Sequence, residues 1–142
     1  MSFLLDTTAL SELTKRRPDP AFLAWMFEHQ TNETFIGAPT LGELEAGIEL
    51  LSASPKRREL EHFLRRLIAD FEDRILPFEI APARIWCRAV AVARHHGRTL
   101  PVIDSQLAAI ASANGLAVVT RNARHFDTTA FPDLQVINPW SR

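Results

Sequence analysis

Short apolar runs along the chain alternate with longer stretches in which apolar positions recur three and four residues apart. The first pattern marks buried strands and the second marks helices with one face turned to a core. Phe3, Leu4 and Leu5 form a first strand that ends at Asp6, and Ala9, Leu10 and Leu13 then take up helical spacing. Arg17-Pro18-Asp19-Pro20 breaks the helix, since each proline removes a donor and biases its predecessor away from helix. Phe22, Leu23, Trp25, Met26 and Phe27 predict a second helix with one apolar stripe, expected in the core or at a subunit interface. Thr34 to Gly37 reads as a short strand, Ala38-Pro39-Thr40 as a turn, and a third helix is expected from Thr40 with Leu44, Ala46, Ile48 and Leu51 inward.

After a loop from Ser52 to Pro55, a long helix from Lys56 carries Leu60, Phe63, Leu64, Leu67, Ile68 and Phe71 on one face. Arg74 to Phe78 predicts a strand that Pro77 should confine to an edge or end early. Ala81-Pro82 opens a helix with Ile85, Trp86, Ala89, Val90 and Ala93 on one side, stopped at His95-His96-Gly97. Thr99 to Ile103 reads as a linker to Asp104. Leu107, Ala108, Ile110 and Ala111 define a helix closing at Asn114-Gly115. Leu116 to Thr120 has the continuous apolar character of a strand buried on both faces. Leu134 to Ile137 gives a last strand. Strands separated by helices throughout predict an α/β fold: a mainly parallel sheet of about five strands, with helices on both faces.

Composition narrows the class. A chain of 142 residues, 46% hydrophobic, is expected to form a single domain over residues 1–142. No run approaches the roughly 20 apolar residues of a spanning helix, and the start lacks the order of a signal peptide. A cytoplasmic protein without membrane contact is therefore expected. The lone Cys87, among Ile85, Trp86 and Ala89, reads as a buried structural thiol. A net charge of −1 gives no global basic field. All basic residues except Lys15 and Lys56 are Arg, clustered in Lys15-Arg16-Arg17, Lys56-Arg57-Arg58 and Arg65-Arg66. Arg forks suit a phosphate backbone or an acidic protein, although any one cluster also reads as a solvated helix face.

Four polar side chains fall where such a sheet gathers them. Asp6 ends the first strand, Glu43 lies in the helix after the second, Asp104 opens a helix, and Asn122 follows the strand at Leu116 to Thr120. Singly, each has a structural reading. Thr40-x-x-Glu43 fits a capping box, Asp6 and Asp104 fit N-caps, and Asn122 fits a turn or left-handed position. Together, three carboxylates at one sheet edge would repel one another unless a cation neutralised them. Oxygen ligands without Cys or paired His suit Mg²⁺, or Mn²⁺, rather than zinc. Such an ion takes one or two carboxylates plus phosphate oxygens, polarises a phosphodiester and activates water. Hydrolysis of a nucleic-acid backbone is the expected chemistry.

Leu4-Leu5-Asp6-Thr7-Thr8-Ala9-Leu10-Ser11-Glu12-Leu13 resembles the opening of PIN-domain nucleases of the VapC toxin family, with Thr8 where those usually carry Asn. Thr40 to Ile48 is similar to the family's second acidic motif, Arg74 to Phe78 to its central strand and Pro101 to Ala111 to its third acidic motif. Val118 to Phe126 resembles the fourth, and Val136 to Trp140 the usual ending. The resemblance covers nearly the whole chain. It implies a PIN-like three-layer fold and a Mg²⁺-dependent endoribonuclease, the toxin of a toxin–antitoxin pair, commonly dimeric and inhibited by a cognate antitoxin. Carried over residue by residue, it makes Asp6, Glu43 and Asp104 the metal-site acids and adds Asn122 where some relatives have Asp. Thr7 or Thr8 is then expected to position water, Arg121 to meet substrate, and Ser11 to be a weaker candidate. His125 is expected at the surface or in a dimer contact.

Two other phosphoryl-handling designs fit worse. A haloacid-dehalogenase type needs a second Asp at position 8, and a bacterial receiver needs a Lys after a late strand. The serious alternative is a catalytically weak or inactive PIN-like module that binds antitoxin or nucleic acid without cleavage. A phosphate-binding surface, however, would gain by losing the three acids.

Overall fold

The computed structural model describes residues 1–29 and 33–140. Five strands form one parallel sheet: β1 (Phe3–Leu5), β2 (Thr34–Gly37), β3 (Ile75–Leu76), β4 (Ala117–Val119) and β5 (Val136–Ile137). Six helices join them: α1 (Thr7–Glu12), α2 (Pro20–Glu28), α3 (Ala38–Glu49), α4 (Pro55–Asp70), α5 (Ile80–His95) and α6 (Val102–Asn114). The spatial order is β3-β2-β1-β4-β5. β1 is central, with Leu4 opposite Phe35 of β2 and Val118 of β4. As Pro77 required, β3 is both short and at an edge.

The pleat divides the core in two. Leu4 and Val118 point to the face covered by α5 and α6, where Leu107 to Ala111 are buried with Phe126 and Phe131. Phe3, Leu5, Ala117 and Val119 point to the face carrying Leu10, Phe22, Leu67 and Phe71 from α1, α2 and α4 or its end. The layers are thus helix, sheet, helix. Trp86 Nε1 donates to Ser105 Oγ at 2.9 Å and ties α5 to α6. No helix among the described residues is long and apolar enough to cross a membrane.

Several local expectations change. α3 starts at Ala38 rather than Thr40, because proline is well suited to the first helical turn, where its missing N–H leaves nothing unpaired. α6 starts at Val102 for a related reason: Pro101 occupies its N-cap, so Val102 and Ile103 are helix rather than linker. Arg74 falls in a 3-10 turn, Glu72–Arg74, and only Ile75 and Leu76 pair. The expected stripe of α2 splits, since its five apolar residues span more of the helix than one face. Phe22 is buried and stacks on Trp140 with centroids 4.4 Å apart, whereas Phe27 is 93% exposed. Cys87 is exposed and is not the buried thiol expected.

Candidate active site

The strand order reverses direction beside β1: the chain goes first to β2 on one side and later crosses to β4 on the other. At such a switch point the loops leaving neighbouring parallel strands part and open a crevice at their carboxyl ends. Two bonds stitch the crevice floor. Asp6 N–H donates to Val119 O at 3.1 Å, and Arg121 N–H donates to Thr8 Oγ1 at 3.0 Å. Above them is a cavity of about 340 Å³ lined by Asp6, Thr7, Thr8, Ser11, Glu12, Lys15, Glu43, Asp104, Arg121 and Asn122. The site residues expected from sequence are therefore brought together, and Glu12 and Lys15 join them.

Asp6 takes the capping role that its sequence position offered, and it also lines the cavity. Its carboxylate N-caps α1, accepting Ala9 N–H at 3.0 Å, and accepts the Thr8 hydroxyl at 2.6 Å. Burial pushes its carboxyl above the ordinary range, opposed by hydrogen bonds from the Thr120 and Thr8 hydroxyls and the Ala9 amide. Thr120 Oγ1 also accepts Asn122 N–H at 2.9 Å and so joins the two strand ends. Thr8 thus uses its one hydroxyl twice, donating to Asp6 and accepting from Arg121. It is a strut of the floor.

Asp104 is not the N-cap of α6. It lies in the first turn, where a carboxylate is favoured by the helix dipole. Burial raises its carboxyl first, and the neighbouring charge of Asp6 raises it further; His125 lowers it, and Glu43 adds a smaller upward push. His125 Nδ1 is 3.2 Å from Asp104 Oδ2, so this ring belongs to the site rather than to a remote surface. The one sequence signal for it is the Arg-Asn-x-x-His spacing after β4, which a 3-10 turn over Ala123–His125 folds back toward α6.

Glu43 is exposed and forms no capping box. The N-cap of α3 is Gly37, three residues earlier than that motif requires, and Thr40 is buried with its hydroxyl unpaired. Gly37 itself lies against α6: a Cβ there would come 2.7 Å from Leu107 Cδ2. Asn122 is not left-handed, with φ −109°, and its side chain makes no capping bond to the 3-10 turn that it precedes. Ser11 lines the cavity, and its carbonyl accepts the Thr14 hydroxyl at 2.7 Å.

The fit of this donor set to a divalent ion rests on three observations. Asp6, Glu43 and Asp104 share one cavity, and the charges of Asp6 and Glu43 push the Asp104 carboxyl upward. All the acids offer oxygen. The Thr7 hydroxyl, on the cavity wall, is buried without a hydrogen-bond partner. Among the described residues no three His, Cys, Asp or Glu side chains are grouped closely enough to hold a metal ion by themselves.

A PIN domain model matches residues 3–132. The chain is similar to VapC ribonuclease Y4jK of Sinorhizobium fredii, 32% identical over 138 residues that cover 96% of both chains. It is also similar to Toxin FitB of Neisseria gonorrhoeae, 33% identical over 96% of this chain and 97% of that one. The crystal structure of FitAcB from Neisseria gonorrhoeae superposes with a TM-score of 0.84 and 31% identity, covering 99% of each chain.

Proposed function

Since the chain belongs to the PIN-domain family, we propose that it is an endoribonuclease, the toxin of a toxin–antitoxin pair. It is a hydrolase of RNA phosphodiester bonds, as the VapC ribonuclease that it resembles along its whole length is named. PIN-domain nucleases are generally divalent-metal dependent, and Mg²⁺ is the ion proposed here, with Mn²⁺ as a substitute. The partners proposed are RNA, a cognate antitoxin and a second copy of the chain, and the proposed compartment is the cytoplasm. The single observation that carries the site assignment is the meeting of Asp6, Glu43 and Asp104 in one crevice at the switch point.

Asp6, Glu43 and Asp104 would hold the ion, with Thr7 lining the same cavity. When bound, the ion supplies neutralising charge for a phosphodiester and lowers the pKa of an attacking water. The protein's own part is positional. Thr8 and Thr120 hold the Asp6 carboxylate, His125 holds that of Asp104, and the Asn122 amide offers both a donor and an acceptor for orienting water or a phosphate oxygen. Arg121 offers a fork to the RNA backbone.

Incubating the purified protein with structured RNA in Mg²⁺ or in EDTA tests the reading. Scission that requires the ion and disappears in Asp6→Asn and Asp104→Asn supports it. Binding without scission in every divalent ion tried would instead make the chain a binding module.

A further inference from the structure

Glu12 lines the cavity but does not present a free charge to it. Its side chain is 4% exposed, and both oxygens are used. Oε2 accepts Lys15 Nζ at 2.7 Å, and Oε1 accepts Asp19 N–H at 2.7 Å, from the residue that caps α2. Those bonds hold the Glu12 carboxyl below its ordinary range, the Lys15 contact most strongly. A buried anion anchored on a backbone amide thus fixes where the Lys15 ammonium sits. Lys15 itself is 47% exposed and lines the same cavity as the three acids.

An ammonium has three donors. Glu12 takes one, and two remain. A free lysine would lose rotamer entropy on gripping a ligand, whereas this one is already held. A crevice rimmed with carboxylates repels the RNA backbone, and Lys15 and Arg121 are the two cations lining it. Asp6 caps the amino end of α1 and Lys15 lies beyond its carboxyl end. Six helical residues rise on the order of 9 Å. The phosphate nearest Lys15 is therefore a neighbour of the one that meets Asp6.

We propose that Lys15, held in place by Glu12, is a substrate-binding residue that grips an RNA backbone phosphate next to the scissile one. The inference rests on the ribonuclease reading. Its test is binding of a fluorescein-labelled RNA that the protein cleaves, measured in EDTA with Asp6→Asn protein so that no scission occurs. Adding Lys15→Gln should weaken binding about 3- to 10-fold and flatten the slope of log affinity against log salt by about 0.7, the share of one single-strand phosphate contact. Lys15→Arg should restore both. In cleaving protein, Lys15→Gln should raise KM with kcat little changed. An unchanged affinity and salt slope, whatever happens to thermal stability, would reduce Lys15 to a clasp between α1 and α2. Wild-type cleavage with normal KM in Lys15→Gln removes this inference alone, whereas no cleavage by any form of the protein removes the enzyme reading with it.

Discussion

His125 reaches Asp104 from the turn after β4, with Nδ1 3.2 Å from Oδ2. The ring sits on the turn after β4 and the acid on the first turn of α6, so the contact fixes one acid of the site from a separate element. Partners of metal-site ligands typically contribute 10- to 100-fold in metal affinity or activity. His125→Ala should therefore raise the Mg²⁺ concentration for half-maximal cleavage about tenfold, while Asp104→Asn abolishes cleavage. Metal titrations that superpose for His125→Ala and wild type would assign the contact no role.

The acids should make the site a burden on stability. Asp6 and Asp104 both have raised proton affinity in the fold. The stability contributed by their protons is complete below the unfolded carboxylate range and is lost as pH rises through the raised values. Asp6→Asn removes that cost and keeps a capping oxygen. At pH 7 it should raise stability on the order of 1 kcal/mol, roughly 3 to 5 °C in melting temperature. The advantage should vanish below about pH 4. A melting temperature equal to or lower than wild type at pH 7 contradicts this.

Glu12 should behave in the opposite sense. Its lowered proton affinity contributes stability that is present above the unfolded carboxylate range and lost as pH falls through the lowered value. Glu12→Gln should cost about 1.5 kcal/mol at pH 7, since charge-assisted bonds become neutral ones. Urea melts at pH 7 and pH 3 should show the difference shrinking in acid.

Gly37 is needed for space rather than for an unusual backbone, since its φ is −94°. An added Cβ would lie 2.7 Å from Leu107 Cδ2, in a part of the core where Leu107 has no exposure. Gly37→Ala should cost about 1 to 3 kcal/mol by overpacking, read as a lower urea midpoint with an unchanged slope. A midpoint equal to wild type would show that Leu107 yields freely.

Phe27 and Ile68 are exposed on α2 and α4, at 93% and 42%. Polar replacements there should leave the stability of the chain alone within about 0.5 kcal/mol. They should weaken homodimer or antitoxin association if α2 and α4 carry it. Sedimentation and antitoxin titration of Phe27→Ser/Ile68→Ser report this directly. Association at wild-type strength would move the interface elsewhere.

Sequence pattern located every strand and helix of the sheet framework, because strand burial and helical periodicity are written in single residues such as Leu4, Val118 and Leu64. It misplaced boundaries where proline starts a helix, at Pro39 and Pro101, because a breaker and an initiator look alike along the chain. Of the three acids only Asp6 is legible from where a strand stops; Glu43 and Asp104 lie inside α3 and α6 and are legible only from the motifs around them. Glu12 and His125 were less visible in those roles: the first is defined by a partner seven residues away in the next helix's cap and the second by one 21 residues away. Cys87 went wrong because an apolar neighbourhood in sequence wraps around all sides of α5.

The floor of the crevice joins segments 113 residues apart, through the Thr8 hydroxyl and the Arg121 amide. β4, one of the two neighbours of β1 in the sheet, follows it in the chain only after β2 and β3. Loop closure over such a span is slow, so a nascent chain cannot complete this site until the segment through Asn122 has cleared the ribosome. The crevice floor therefore closes late in folding, once the chain between Thr8 and Arg121 is in place.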